Sequence, residues 1–248
     1  MTGLPVIQVS SLVHRYGDFT ALDGVTLKVP ASSFFGFLGP NGAGKTTLVN
    51  ILTGQMPPTA GRVRVLGLNP AEEPIELKRR IGIVPEEEIP PSFLTCQETL
   101  HFVAEVYGLD DPEGRALRWL DFFELSEKRD TLGKDLSKGM KQKLMLASAL
   151  LPETNLLFLD EPFINLDPIF QRKVRDHLVN FVKGGKTIFM CTHMLDIAER
   201  ICTHVAVIHK GKVLDRGTLA EVRAGGINLE ELFFESVGMG AGTKGESR

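Results

Sequence analysis

Apolar positions along the chain follow two different rhythms. Residues 6–9 and 25–29 suit short strands, and the run Phe34–Leu38 reads as a buried strand that leads straight into Gly39. Helical spacing follows at once, with Leu48, Ile51 and Leu52 at i, i+3 and i+4 and Gly54 placed to stop the helix. Between 85 and 136 the pattern turns amphipathic. Leu100, Val103, Ala104 and Tyr107 share one helical face, and Leu117, Leu120 and Phe123 share another. Pro90 and Pro91 punctuate the entry to this stretch and no strand pattern interrupts it, which predicts an inserted helical subdomain over about 89–135. A helix over 138–151, an apolar strand at 156–159, a helix over 170–182, and strands at 187–191 and 205–208 with a helix between them complete the pattern. Continuous apolar strands flanked by helices require a parallel sheet covered on both faces, so the core is predicted to be doubly wound α/β.

Composition narrows this picture. A chain of 248 residues accommodates one core with a small appended lobe, and 43% hydrophobic with 24% charged residues is ordinary globular balance. The net charge of −3 offers no basic footprint, so nucleic acid is not an expected partner. Cys96, Cys191 and Cys202 lack metal-ligand spacing and are odd in number, which fits a reducing cytoplasm. No stretch reaches the ~18 apolar residues that span a bilayer, and the first ten residues lack a basic segment followed by an apolar run. The chain is therefore expected neither to cross a membrane nor to be exported. Residues 1–236 read as one domain, and the Gly-rich 237–248 as a flexible tail.

Chemistry enters at Gly39-Pro40-Asn41-Gly42-Ala43-Gly44-Lys45-Thr46, which matches the phosphate-binding loop G-x-x-x-x-G-K-[ST]. Its glycines permit a tight turn that aims backbone N–H groups and a helix N-terminus at phosphate oxygens. Lys45 neutralises β- and γ-phosphates in this reading, Thr46 offers a hydroxyl to Mg²⁺, and Thr47 adds a further nucleotide-binding position. The strand at 156–159 runs into Asp160 and Glu161, two carboxylates at a strand's carboxyl end, where open α/β sheets bind ligands. Asp160 is the expected Mg²⁺ holder and Glu161 the expected base for an attacking water.

With these motifs in order, the chain resembles the ATP-binding domains of ABC transporters over about residues 6–232. The discriminating stretch is Leu136-Ser137-Lys138-Gly139-Met140, similar to the family signature LSGGQ with Lys138 in place of a glycine and Met140 in place of the glutamine. Ser137 can cap the following helix, and Gly139 would let a phosphate approach its positive end. The resemblance implies a P-loop NTPase core with a mostly parallel sheet, an N-terminal antiparallel β lobe and the helical insertion. It also implies that Tyr16 stacks on adenine, that 165–167 (Asn165, Leu166, Asp167) form a loop at a dimer interface, and that His193 contacts the γ-phosphate and the attacking water. Glu86 stands where the family usually carries Gln; a carboxylate there can still ligate Mg²⁺ or can be a solvated acid beside Glu87 and Glu88. The other five histidines, His14, His101, His177, His204 and His209, read as structural.

The function implied is ATP binding and hydrolysis, with Glu161, His193 and Lys45 as catalytic residues and ATP and Mg²⁺ as ligands. Two such domains, identical or paralogous, sandwich ATP between one P-loop and the other's Ser137 and Gly139. They drive a separately encoded transmembrane permease from the inner face of the cell membrane, and export is the expected direction, since 228–233 resemble the ending of exporter-type domains. The rival class is a soluble ABC ATPase acting on a non-membrane partner. A GTPase is disfavoured because no Asn/Thr-Lys-x-Asp motif occurs.

Overall fold

A computed structural model of the chain describes residues 5–87 and 90–238; Glu88, Ile89 and, within the expected tail, 239–248 lie outside the described residues. Six strands form the central sheet: β3 (Phe34–Leu38), β5 (Ile81–Val84), β6 (Leu156–Asp160), β7 (Thr187–Thr192), β8 (His204–His209) and β9 (Lys212–Thr218), in the order β5-β6-β7-β3-β8-β9. All neighbours pair in parallel except β8 and β9, which form an antiparallel hairpin. A second sheet of β1 (Ile7–Tyr16), β2 (Phe19–Val29) and β4 (Ala60–Val65) is antiparallel throughout, in the order β2-β1-β4. The expected lobe is thus present, and its third strand comes from beyond the phosphate-binding loop.

Strand alternation divides the buried side chains between two cores. Leu157, Leu159, Ile188 and Met190 face one side of the central sheet, where α5 (Lys138–Leu150) and α6 (Pro168–Lys183) pack through Leu144, Ala147, Val174 and Leu178. Leu156, Phe158, Phe189 and Cys191 face the other side and meet α1 (Lys45–Leu52) and the small sheet. With both faces covered, every residue of β6 and β7 is buried, which is why these strands read as continuous apolar runs.

The insertion is helical as expected. It comprises α3 (Cys96–Val106), α4 (Pro112–Phe122) and two 3₁₀ turns at Ser126–Lys128 and Gly133–Asp135. Helix α3 starts at a capping box, with the Thr95 side chain on the Glu98 N–H and Glu98 reaching back to Thr95. Leu117 departs from the sequence reading: it is 40% exposed, because the buried stripe of α4 runs through Ala116 and Leu120. The remaining helices are α2 (Pro74–Lys78), α7 (Leu195–Ile201), α8 (Leu219–Ala224) and α9 (Leu229–Ser236). No helix among the described residues is long and apolar enough to cross a membrane.

Candidate functional site

Strand order puts the chemistry in one place. β5, β6, β7 and β3 are consecutive neighbours, and their registers pair Val84 with Leu159, Asp160 with Cys191, and Leu38 with Thr192. The loops leaving their carboxyl ends carry Glu86, Glu161, His193 and Gly39, so residues from four distant segments share one edge.

The loop after β3 is braced from within. Gly42 and Gly44 adopt φ of +77° and +107°, and a Cβ on Gly44 would stand 2.7 Å from the Ala21 carbonyl, so only glycine fits there. Lys45 is buried at the start of α1, and its ammonium donates to the carbonyls of Gly39 (2.8 Å) and Pro40 (3.2 Å). Ala43 turns its methyl into the core, and its N–H bonds the Pro40 carbonyl at 3.2 Å, so any contact it makes with a ligand is through backbone. Beside the loop lies a cleft of about 220 Å³ lined by Tyr16, Phe19, Asn41, Thr46, Thr47 and Glu86, among others. Tyr16 and Phe19 are cross-strand partners at the β1–β2 turn and are both exposed, which makes an aromatic wall for the cleft. Phe19 was not picked out from sequence, and only its place opposite Tyr16 reveals it.

Three oxygen-bearing side chains converge at Thr46. Its Oγ1 lies 3.0 Å from Glu86 Oε2 and 3.2 Å from Asp160 Oδ2, and a hydroxyl has one proton to give. Asp160 is only 2% exposed, and its other oxygen, Oδ1, has no hydrogen-bond partner. Burial pushes its carboxyl up to about 6; the Glu86 charge adds to the rise, and the Thr46 hydrogen bond opposes it. An orphaned buried oxygen with a second carboxylate and a hydroxyl close by suits a hard divalent cation such as Mg²⁺. No cluster of three or more His, Cys, Asp or Glu residues stands ready for a metal among the described residues.

Glu161 follows directly and is held by a different set of groups. Its backbone is left-handed, φ +47°, a strained setting for a non-glycine residue of the kind that gathers at functional sites. Its N–H donates to the Cys191 carbonyl at 2.9 Å. The carboxylate is 4% exposed; Oε2 accepts from Thr192 Oγ1 (2.9 Å), and Oε1 accepts from the His193 N–H (3.0 Å) and lies 2.7 Å from His193 Nδ1. Against an ionised carboxylate, which only accepts, the Nδ1–H tautomer of His193 is the one that can donate.

Ser137 and Gly139 are absent from this cleft's lining. Ser137 caps α5, its Oγ accepting from the Met140 N–H at 3.3 Å. Buried Gln142 ties the same helix to the segment after Glu161 by donating to the Pro162 carbonyl at 2.9 Å, a link invisible in sequence. Asp167 caps α6 through the N–H groups of Ile169 and Phe170.

Residues 22–164 match the family described as ABC transporter, a span longer than half of the chain. This chain belongs to the ABC transporter family.

The ABC subunit is 34% identical over 234 residues to the "Probable multidrug ABC transporter ATP-binding protein YbhF" of Escherichia coli K12, covering 92% of this chain but only 40% of that relative. It is 37% identical over 225 residues to the "Nod factor export ATP-binding protein I" of Burkholderia thailandensis, covering 88% of this chain and 74% of the relative. Among solved structures, an "ATP binding subunit of ABC transporter" superposes with a TM-score of 0.88 at 32% identity, covering 94% of this chain and 99% of that one. The expected fold, a mostly parallel central sheet with an antiparallel β lobe and a helical insertion, is present among the described residues. In this ABC subunit the space that a side chain at position 139 would need is already filled: a Cβ there would stand 2.7 Å from the Asn165 carbonyl. Gly139 thus has an internal packing reason to be glycine, separate from the approach of a phosphate.

Proposed function

We propose that the chain binds and hydrolyses ATP to drive transport, with export as the direction, through a transmembrane partner on the inner face of the cell membrane. The observation that carries this reading is the pair Glu161 and His193, 2.7 Å apart at the ends of neighbouring strands, on the edge that also carries Lys45 and Asp160. Phosphates lie on the backbone of residues 39–47 and the N-terminus of α1, and Lys45 leaves the loop carbonyls to meet the β- and γ-phosphates. Tyr16 and Phe19 give adenine a ring to stack on. Thr46, Asp160 and Glu86 hold Mg²⁺, which when bound neutralises charge on the phosphate oxygens.

Hydrolysis requires a water in line with the γ-phosphorus. As its oxygen bonds to phosphorus and the bond to the ADP oxygen breaks, the water proton passes to Glu161. His193 holds the carboxylate and turns its free ring edge to the γ-phosphate. Ser137 and Gly139, absent from the cleft of their own chain, complete the site of a second copy or a paralogue, so that ATP lies between two protomers. Relatives named for multidrug transport and for Nod factor export support the transporter reading over a soluble ABC ATPase.

Glu161→Gln tests this directly, because it keeps shape and hydrogen bonding and loses the base. ATP binding persists while hydrolysis falls by ~10²-fold or more. In sedimentation the variant associates with Mg-ATP and not with Mg-ADP. Hydrolysis at the wild-type rate would remove Glu161 from catalysis, and a monomer in both nucleotides would remove the homodimer.

A further inference from the structure

We infer that Thr192 is a positioning residue for hydrolysis, its hydroxyl setting the plane in which the Glu161 carboxylate meets water; this rests on Glu161 being the base. Thr192 is the last residue of β7 and is 1% exposed. Its Oγ1 accepts the Met194 N–H at 3.0 Å and sits 2.9 Å from Glu161 Oε2. With the Met194 N–H lying against its oxygen, the hydroxyl directs its single proton toward the carboxylate.

That contact matters because it holds Oε2. The terminal torsion of a glutamate is broad and weakly hindered, so its carboxylate plane is set by hydrogen-bond partners rather than by a rotamer well. The other oxygen, Oε1, is held by His193 through both its backbone N–H and its ring. The His193 side chain is half exposed and, in the proposed function, also faces the γ-phosphate. Thr192 is buried, and its hydroxyl is committed to Oε2. It also secures the Met194 N–H at the entry to α7, so one hydroxyl governs both the base and the short segment that presents His193. A base misdirected by a fraction of an ångström loses much of its effect, while nucleotide binding, carried by Tyr16 and the phosphate loop, is left alone.

The test compares Thr192→Val, Thr192→Ser and Glu161→Gln in the full chain, by steady-state ATPase assay and by calorimetric ATP binding. Thr192→Val is expected to lower kcat by ~10- to 100-fold with KM and ATP affinity within ~2-fold of wild type. Thr192→Ser, which keeps the hydroxyl, recovers most of the rate. If Thr192→Val is not obtained folded, Thr192→Ala against Thr192→Ser makes the same comparison. A valine or alanine variant with wild-type kcat, or a serine variant as slow as valine, overturns the assignment while a dead Glu161→Gln leaves the base in place. An active Glu161→Gln overturns the reading beneath it instead.

Discussion

Replacing Asp160 with Asn should stabilise the protein at neutral pH when nucleotide and metal are absent, although the same change removes a ligand proposed for Mg²⁺. The carboxyl's ordinary value of 3.8 is pushed to about 6 by burial and by Glu86. The folded state therefore holds the proton more tightly than the unfolded chain does, and its stability is fully present below about 3.8 and lost as pH rises through about 6. A difference of about 2 pH units corresponds to about 3 kcal/mol above pH 6. Asn removes that cost but places an amide where Oδ1 already lacks a partner, which returns about 1–2 kcal/mol. The net gain of about 1–2 kcal/mol raises the melting temperature by about 2–8 °C in a domain of this size. Melting followed by circular dichroism from pH 4 to 8 without Mg²⁺ should show the variant above wild type at pH 7.5, the two curves crossing at about pH 5, and the variant below wild type at pH 4, where only the amide cost remains. Mg-ATP should raise wild type more than the variant. An offset that is independent of pH would refute the argument, because it would trace to packing rather than to a buried charge. A variant less stable than wild type at pH 7.5 would refute it too.

Three further substitutions separate binding, stacking and metal. Lys45→Ala removes the only cation of the loop and should lower ATP affinity by ~10-fold or more in calorimetry while the fold, read by circular dichroism, survives. Tyr16→Ala should weaken ATP binding by ~5-fold or more and Tyr16→Phe should not, since stacking is worth about 1 kcal/mol and needs only the ring; equal affinities for all three proteins would return Tyr16 to a packing role. Glu86→Gln removes a charge that, sharing the Thr46 hydroxyl with Asp160, lies within about 6 Å of it. Asp160 should then ionise at lower pH and the Mg²⁺ requirement at pH 6 should shift; an unchanged Mg²⁺ titration would make Glu86 a solvated acid.

The central strands were legible in sequence because both of their faces are buried. Phe34–Leu38 is read with its observed bounds, and β6 and β7 end one residue beyond the expected runs. β4 and β9 were not legible, for a shared reason. β4 alternates exposed Arg62 and Arg64 with buried Val63 and Val65, and β9 is mostly exposed, carrying Lys212, Asp215 and Arg216. Their extended form comes from pairing with β1 and β8, which local apolar content does not announce. β1 likewise runs to Tyr16 although its apolar signal fades at Val9, and register shifts between Val9 and Arg15 explain why strict alternation is lost there.

The site divides along the same line. Lys45, Thr46, Asp160 and Glu161 are carried by motifs of contiguous residues, whereas Thr192 joins Glu161 from 31 positions away, through the β6–β7 pairing alone. Gly139 shows how one position can have two independent reasons for its residue. A phosphate at the α5 N-terminus would need a small residue, yet the Asn165 carbonyl needs one as well, since any Cβ at 139 would collide with it at 2.7 Å. An alanine there shifts the loop at 165–167 whether or not a nucleotide ever reaches the helix, so its effect on hydrolysis says nothing about a second protomer. Ser137 is the more informative residue. Its hydroxyl caps α5 at a long 3.3 Å, its proton is free to meet a phosphate, and it stands outside its own chain's cleft. Asp at 137 would keep the cap and oppose a phosphate, which makes the charge at this position, rather than the size at 139, the discriminator between a helix stop and half of an ATP site.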